Sequence, residues 1–169
     1  MFEVGDYIIY DNTGVCQVES IGHLDMSGAS GKRLYYTLKP QHGKSGTIYT
    51  PVDNEKVTMR PVMSKDEALT LIDEIHDIGT LDLSDEKKRE VEYKEAFAKY
   101  DCRELVKVIK TIYSLKEDRI AEGKKVTALD EKYYDMAEEK LYGELAIPLH
   151  KDIDEVKAYV IEHVKQYDM

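Results

Sequence analysis

Short runs of apolar residues, separated by turn-forming residues, occupy the first third of the chain, and this pattern predicts strands rather than helices. Aromatic and β-branched residues are concentrated in the runs, whereas most of the chain's glycines lie between them. The pattern predicts five short strands, at residues 7–10, 15–21, 34–38, 46–52 and 57–60. Strands this short cannot make a large sandwich, so we expect a small, strongly bent β barrel.

Beyond residue 62 the apolar residues recur at helical spacing, and most of the runs begin with a capping pattern. Ser64, Asp101 and Asp152 each stand three residues before a glutamate, which is the sequence signature of a capping box. Thr127 begins a weaker version of the same pattern. The predicted helices cover residues 65–76, 85–99, 102–122, 128–146 and 153–166.

This change of pattern predicts two domains, residues 1–62 and 63–169, and an α+β fold: a small N-terminal β barrel followed by a C-terminal bundle of about five helices. The charge divides in the same way. The first domain has seven acidic and six basic residues, a net charge of −1, and the second has 27 acidic and 18 basic residues, a net charge of −9. An acidic domain opposes strong nonspecific binding to nucleic acid.

Composition indicates neither a membrane protein nor a secreted one. No apolar run approaches the roughly 20 residues that span a bilayer, and the N-terminus lacks the basic start of a secretory signal. The two cysteines, Cys16 and Cys102, are far apart and form neither a metal-binding pair nor a disulfide framework. We therefore expect a soluble, cytoplasmic protein without a membrane partner.

Motifs for catalysis are weak. The sequence has no Walker loop, and its five histidines form no HExxH pattern. Asp73, His76 and Asp77 would share one helix face and could bind a metal, but a solvated helix end explains them better. The sequence therefore favours a non-enzymatic protein without cofactor or metal, and a metal-dependent hydrolase is only a third class of function.

Tyrosine is the unusual feature of the composition, with 13 residues against two phenylalanines and no tryptophan. Tyrosine is enriched at protein interfaces, although it also serves as a core residue with one wet side. Strand alternation places Tyr35 and Tyr36 on opposite faces, so one of them is expected to face outward. The strand around Tyr49 ends at Pro51 and could present an open edge to a partner. These features favour a docking module over an enzyme.

Basic residues form two local groups within the acidic half, and either could contact phosphates. Such groups are more often a solvated face, so the two interpretations stay open at this point. The groups are Lys87, Lys88 and Arg89 in the second predicted helix, and Lys124 and Lys125 in the loop before the fourth.

The sequence resembles CarD/CdnL-type bacterial transcription regulators over roughly residues 1–147. The N-terminal motifs are fairly specific, and the same barrel also occurs in transcription-repair coupling factors, which are large translocases whose motor motifs are absent here. The residues that carry the resemblance are Phe2-x-Val4-Gly5-Asp6-Tyr7-Ile8-Ile9-Tyr10, Gly14-Val15, Leu34-Tyr35-Tyr36-x-Leu38, Thr47-Ile48-Tyr49-Thr50-Pro51-Val52-Asp53-Asn54 and Met59-Arg60-Pro61-Val62, with residues 101–110 and 133–146 in the helical half.

The resemblance implies a Tudor-like barrel that binds the β subunit of RNA polymerase. It also implies a helical domain that touches promoter DNA near the upstream edge of the melted region and favours the open complex. The polymerase-facing residues would be Leu24, Tyr49, Thr50 and Pro51. The DNA contacts would fall on Lys87, Lys88 and Arg89, with Lys124 and Lys125 as further candidates.

The chain departs from this family in one respect, because it contains no tryptophan. The family typically places one near the start of the second helix, where it wedges into the minor groove. Leu81 and Leu83 stand in the matching stretch and could wedge instead, but Asp82, Asp85 and Glu86 beside them would repel phosphates. Two functions therefore stay open: a polymerase-docked regulator of open complexes, and a polymerase-docked adaptor whose acidic helical domain binds protein and not DNA.

Overall fold

The computed structural model describes residues 1–24, 33–42, 45–83 and 85–166. The chain divides into two compact units, Met1–Met63 and Ser64–Met169. The first unit is a β sheet and the second is helical, so the predicted α+β class is confirmed.

Five antiparallel strands form the first unit, and their order in the sheet is β4-β3-β2-β1-β5. In the pairings described the sheet is open, with β4 and β5 as its two edges. The register between β2 and β3 shifts between Val18 and Ser20, and such a bulge increases the local twist of the sheet. The strands are β1 Tyr7–Tyr10, β2 Gly14–His23, β3 Leu34–Pro40, β4 Ile48–Pro51 and β5 Met59–Pro61.

One face of this sheet carries the core of the first unit. Strand alternation explains which residues belong to this core, since every second residue of a strand faces the same side of the sheet. On β3, Tyr36 is only 1% exposed, whereas its neighbour Tyr35 is half-buried, as the alternation predicted. The cluster of buried residues on this face is Ile8, Cys16, Val18, Tyr36 and Leu38.

The helices of the second unit that have a capping side chain begin where that side chain predicted. Ser64 and Glu67 form a complete capping box, in which each side chain accepts a hydrogen bond from the other residue's backbone N–H. Asp101, Thr127 and Asp152 each accept one backbone N–H in the first turn of their helix. The helices are α1 Lys65–Glu74, α2 Arg89–Ala98, α3 Cys102–Ala121, α4 Ala128–Leu149 and α5 Ile153–Lys165.

Helix α4 organises the second unit, because α1, α3 and α5 all contact it. Its buried side chains include Leu141 and Leu145, and the helices around it contribute further buried residues, such as Val108 and Ile112 of α3 and Val156 of α5. Helix α2 packs on α3 and also contacts α4, where the ring centroids of Tyr93 and Tyr133 lie 5.2 Å apart. Within the residues that the structure describes, no helix is both long and apolar enough to cross a membrane.

Candidate functional site

The first candidate surface is the edge of the sheet at β4. In the described part of the chain β4 pairs with one strand, β3, in a register that sets Tyr49 opposite Thr37. The outer edge of β4 can therefore accept a further strand. The side chain of Tyr49 is 53% exposed beside this edge. An open edge with an exposed aromatic anchor suits recognition by strand addition.

The other residues predicted for this surface are less exposed than Tyr49. Thr50 is 1% exposed, and its Oγ1 accepts a hydrogen bond from Nδ2 of Asn54 at 3.0 Å, so this residue presents almost no surface to a partner. Leu24 and Pro51 are half-buried. The register pairs His23 with Leu34, next to the pairing of Tyr35 with Pro51, so Leu24 and Pro51 lie at the same end of the sheet.

The second candidate surface consists of two basic loops of the helical unit. Lys87 and Lys88 are exposed in a 3-10 turn that leads into α2. Lys124 and Lys125 are exposed in the loop before α4. The exposed Nζ of Lys124 lies 3.3 Å from Glu122, an ion pair that contributes little in water.

A buried ion pair holds these two loops at the same end of the helical unit. Arg89, the first residue of α2, donates from Nη1 to Oδ2 of Asp130 in the first turn of α4 at 3.0 Å. The hydroxyl of Tyr93 donates to the other oxygen of Asp130 at 2.8 Å. Burial, and then the hydrogen bond to Asp130, raise the pKa of Tyr93 well above its usual range.

Arg89 therefore differs from the two lysines that precede it. It is 9% exposed, and Asp130 is fully buried against it. A phosphate contact would require Arg89 to leave this pair, so burial argues against the DNA-contacting role predicted from its place in the basic group. We assign Arg89 a structural role. The roles of Lys87, Lys88, Lys124 and Lys125 stay predictions, since they are all exposed.

Sequence reasoning did not single out Asp130. Its place three residues after the cap Thr127 gave a local signal, since a short acidic side chain is common in the first turn of a helix. That signal predicts an exposed residue. Its burial depends on Arg89 and Tyr93, which lie 41 and 37 residues away in sequence.

Leu81 and Leu83 stand where the resemblance implies a tryptophan, and a hydrogen bond holds Leu81 to α3. The backbone N–H of Leu81 donates to Oγ1 of Thr111 at 2.9 Å, and both Leu81 and Leu83 are half-buried. Asp82 between them is exposed. If Leu81 were to wedge into the minor groove, its hydrogen bond to Thr111 would have to break.

The residues of the metal hypothesis fall into two separate pairs. Oδ1 of Asp73 lies 2.6 Å from Nε2 of His163 on α5, and Oδ2 of Asp77 lies 3.3 Å from Nε2 of His76. Over the residues that the structure describes, no group of three or more histidine, cysteine, aspartate or glutamate side chains could hold a metal ion.

The chain thus combines an open-edged β unit with a capped helical unit. Residues 2–63 match the family model described as the CarD-like/TRCF RID domain. The N-terminal unit therefore belongs to this family of RNA polymerase-interacting domains, which confirms the resemblance over residues 2–63 and indicates a transcription-related protein. A comparison with curated proteins gives no match.

Proposed function

We propose that this protein is a non-enzymatic transcription regulator that docks on the β subunit of RNA polymerase and modulates promoter open complexes through its helical unit. The observation that carries the proposal is the open β4 edge with exposed Tyr49, inside a domain of an RNA polymerase-interacting family. A partner strand added to β4 would supply main-chain hydrogen bonds, and Tyr49 would supply an aromatic anchor.

The helical unit would contribute DNA contacts through Lys87, Lys88, Lys124 and Lys125. On its own, the net charge of −9 in residues 63–169 opposes such contacts. Docking changes this balance, because tethering to the polymerase raises the effective concentration of the lysines at the promoter. The Arg89–Asp130 pair supports the proposal, since it keeps both loops at one end of the unit.

A second candidate function is an adaptor that docks on polymerase and binds a further protein, without contacting DNA. The absence of tryptophan and the anchoring of Leu81 on Thr111 favour it. Both candidates share the docking edge at β4, so DNA contact is what separates them.

The docking edge predicts that Tyr49→Ala weakens binding of the full chain to the lobe of the polymerase β subunit. Truncation of an aromatic anchor at an interface typically costs about 2 kcal/mol, so we expect a loss of roughly tenfold or more in affinity. Isothermal titration calorimetry with the isolated lobe measures this directly. The matched control is Tyr113→Ala on α3, because Tyr113 is also a tyrosine and is also 53% exposed.

The result would contradict docking through β4 if both tyrosine variants bound the lobe as tightly as the wild type. Equal losses in the two variants would point to a general effect of removing an exposed ring. Failure of the folded wild-type chain to bind the lobe would reject this partner altogether.

The DNA contact predicts that Lys87→Glu combined with Lys88→Glu shortens the lifetime of the open complex several-fold and weakens protection at the upstream edge of the melted region. Each lost phosphate contact also reduces the salt dependence of binding. Footprinting of a polymerase–promoter complex with the full chain measures both effects. The control is Lys56→Glu with Lys65→Glu, which changes the net charge equally at two exposed lysines outside the basic loops.

An unchanged footprint in the Lys87 and Lys88 variant, with docking intact, would favour the adaptor. An equal effect of the control variant would show that the protein's overall charge, and not the basic loop, is responsible.

A further inference from the structure

A groove lies over α4, between the two helices that pack on either side of it. Helices α3 and α5 form its walls, and the space between them is a cavity of about 340 Å³. Leu141 and Tyr142 of α4 line its floor, and they are 2% and 6% exposed. The walls are mostly aliphatic, with Ile109 on α3 and Val160 on α5 among them.

Further apolar residues of α3 lie beyond this cavity, with the charged residues Lys116 and Glu117 between Tyr113 and Ile120 on the same face. Val106, Ile109 and Tyr113 line the groove at helical spacing, and Ile120 follows Tyr113 after two further turns on the same face. Tyr113 is 53% exposed and Ile120 is 60% exposed. From residue 106 to residue 120 the helix rises by about 21 Å, at roughly 1.5 Å per residue. A surface of this length suits a helical segment better than a small molecule.

The floor also offers a hydrogen-bonding group. Tyr142 is 6% exposed and lines the groove, so its ring contributes to the floor. Burial, and then the charge of Glu138, raise the pKa of Tyr142 above its usual range. The same two causes raise the pKa of Tyr134, which also lines the groove, to about 12. Both hydroxyls therefore stay protonated near neutral pH and can donate a hydrogen bond to an acceptor on an occupant.

The charge of the groove is opposite to that of the unit that contains it. Its lining includes three lysines, Lys110, Lys157 and Lys165, but one acidic residue, Glu138. Nζ of Lys157 lies 3.1 Å from Oε2 of Glu138, and Lys110 donates to the backbone carbonyl of Ile75 at 2.9 Å. The excess positive charge, in a unit with a net charge of −9, is complementary to carboxylates.

We propose that this groove binds an acidic amphipathic helix of a partner protein. Apolar side chains of that helix at positions i, i+3 or i+4, and i+7 would fill the cavity, and its flanking carboxylates would face the lysines and the hydroxyl of Tyr142. A second copy of this chain is a poorer occupant, because each copy carries a net charge of −10 and the two would repel each other. The groove goes beyond the proposed function, since its lining includes neither β4 nor the lysines of the basic loops.

A synthetic peptide provides the test. The probe is a fluorescein-labelled helix of about 18 residues, which spans about 27 Å, with leucines at the stated spacing and glutamates beside them. Two further peptides carry lysine in place of every glutamate, or the same residues in scrambled order. By fluorescence anisotropy with the full chain, we expect the acidic amphipathic peptide to bind at least roughly tenfold more tightly than either of the others.

Variants of the protein locate the binding. Ile161→Glu places a carboxylate at a groove residue that is 42% exposed, and we expect roughly a tenfold loss of peptide affinity or more. The matched control is Val91→Glu on α2, where the replaced residue is also aliphatic and is 52% exposed but lies outside the groove lining. Tyr113→Ala should also weaken peptide binding, whereas Tyr49→Ala should not, which is the reverse of their effects on polymerase docking.

Three results would overturn the proposal. The first is equal affinity for the acidic and lysine-bearing peptides, or no effect of Ile161→Glu in a protein with unchanged circular dichroism. The second is displacement of the peptide by dodecanoate with the same sensitivity to Ile161→Glu, which would assign the groove to small carboxylates. The third is self-association in analytical ultracentrifugation that Ile161→Glu abolishes, which would assign the groove to a second copy.

Discussion

Replacing Asp130 with alanine should lower the free energy of unfolding of the helical unit by about 3–5 kcal/mol. Asp130 is fully buried and accepts hydrogen bonds from Arg89 and from the hydroxyl of Tyr93. The substitution would leave Arg89, a residue that is 9% exposed, without this carboxylate, and Tyr93 without this acceptor. Urea denaturation of the full chain, followed by circular dichroism at a helix-sensitive wavelength, measures the loss.

Two variants separate the ion pair from other effects of the substitution. Asp135→Ala removes an exposed carboxylate from the same helix and should change stability by no more than about 0.5 kcal/mol. Arg89→Met combined with Asp130→Leu removes both charges and should recover most of the loss, because an apolar pair of similar volume carries no cost of charge burial. A double variant as unstable as Asp130→Ala would contradict the ion-pair explanation.

The beginnings of the helices could be predicted because capping is a local interaction. The side chains of Ser64, Thr127 and Asp152 each accept a backbone N–H three residues away, so the whole interaction lies within one short stretch of sequence. Helix α2 is different, because Lys88 at its N-cap makes no side-chain capping hydrogen bond. Its start differs from the predicted one: α2 begins at Arg89, after a 3-10 turn.

The inward orientation of Arg89 could not be predicted from the sequence around it. Lys87, Lys88 and Arg89 form one basic group in the sequence, and nothing local distinguishes the third residue from the first two. The difference comes from Asp130, whose position depends on how α4 packs beside α2. Burial of a charge is therefore a tertiary property, and only its partner reveals it.

Part of the surface at β4 could be predicted from the sequence. Alternation along a strand implies that when Tyr49 faces outward, the next residue faces the core, and Thr50 is indeed 1% exposed. Pro51 at the end of this strand suggested an open edge, but which strands lie at the edges depends on the order of strands in the sheet. The groove over α4 could not be predicted from the sequence either. Periodicity predicts the apolar stripe on α3, but the packing of α5 on α4 decides which part of that stripe stays uncovered.

Replacing Tyr36 with alanine should have a comparably large effect on the β unit. Tyr36 is 1% exposed, its hydroxyl accepts a hydrogen bond from the backbone N–H of Phe2 at 2.9 Å, and its ring lies 5.8 Å from that of Phe2. Deleting a buried aromatic side chain typically costs about 3–5 kcal/mol. Because Tyr36 pairs with Thr50 of β4, we also expect binding to the polymerase β-subunit lobe to be lost.

Hydrogen exchange of the full chain, analysed by mass spectrometry, can assign this loss to the β unit, since the amides of β1, β2 and β3 should lose protection while those of α3 and α4 keep theirs. Tyr35→Ala is the matched control, because its ring lies on the opposite face and is half-buried. Tyr36→Phe keeps the ring and removes only the acceptor for Phe2, so it should cost about 0.5–1.5 kcal/mol and leave docking largely intact. If Tyr36→Ala retained both protection and docking, the core on this face of the sheet would not be what holds β4 in place.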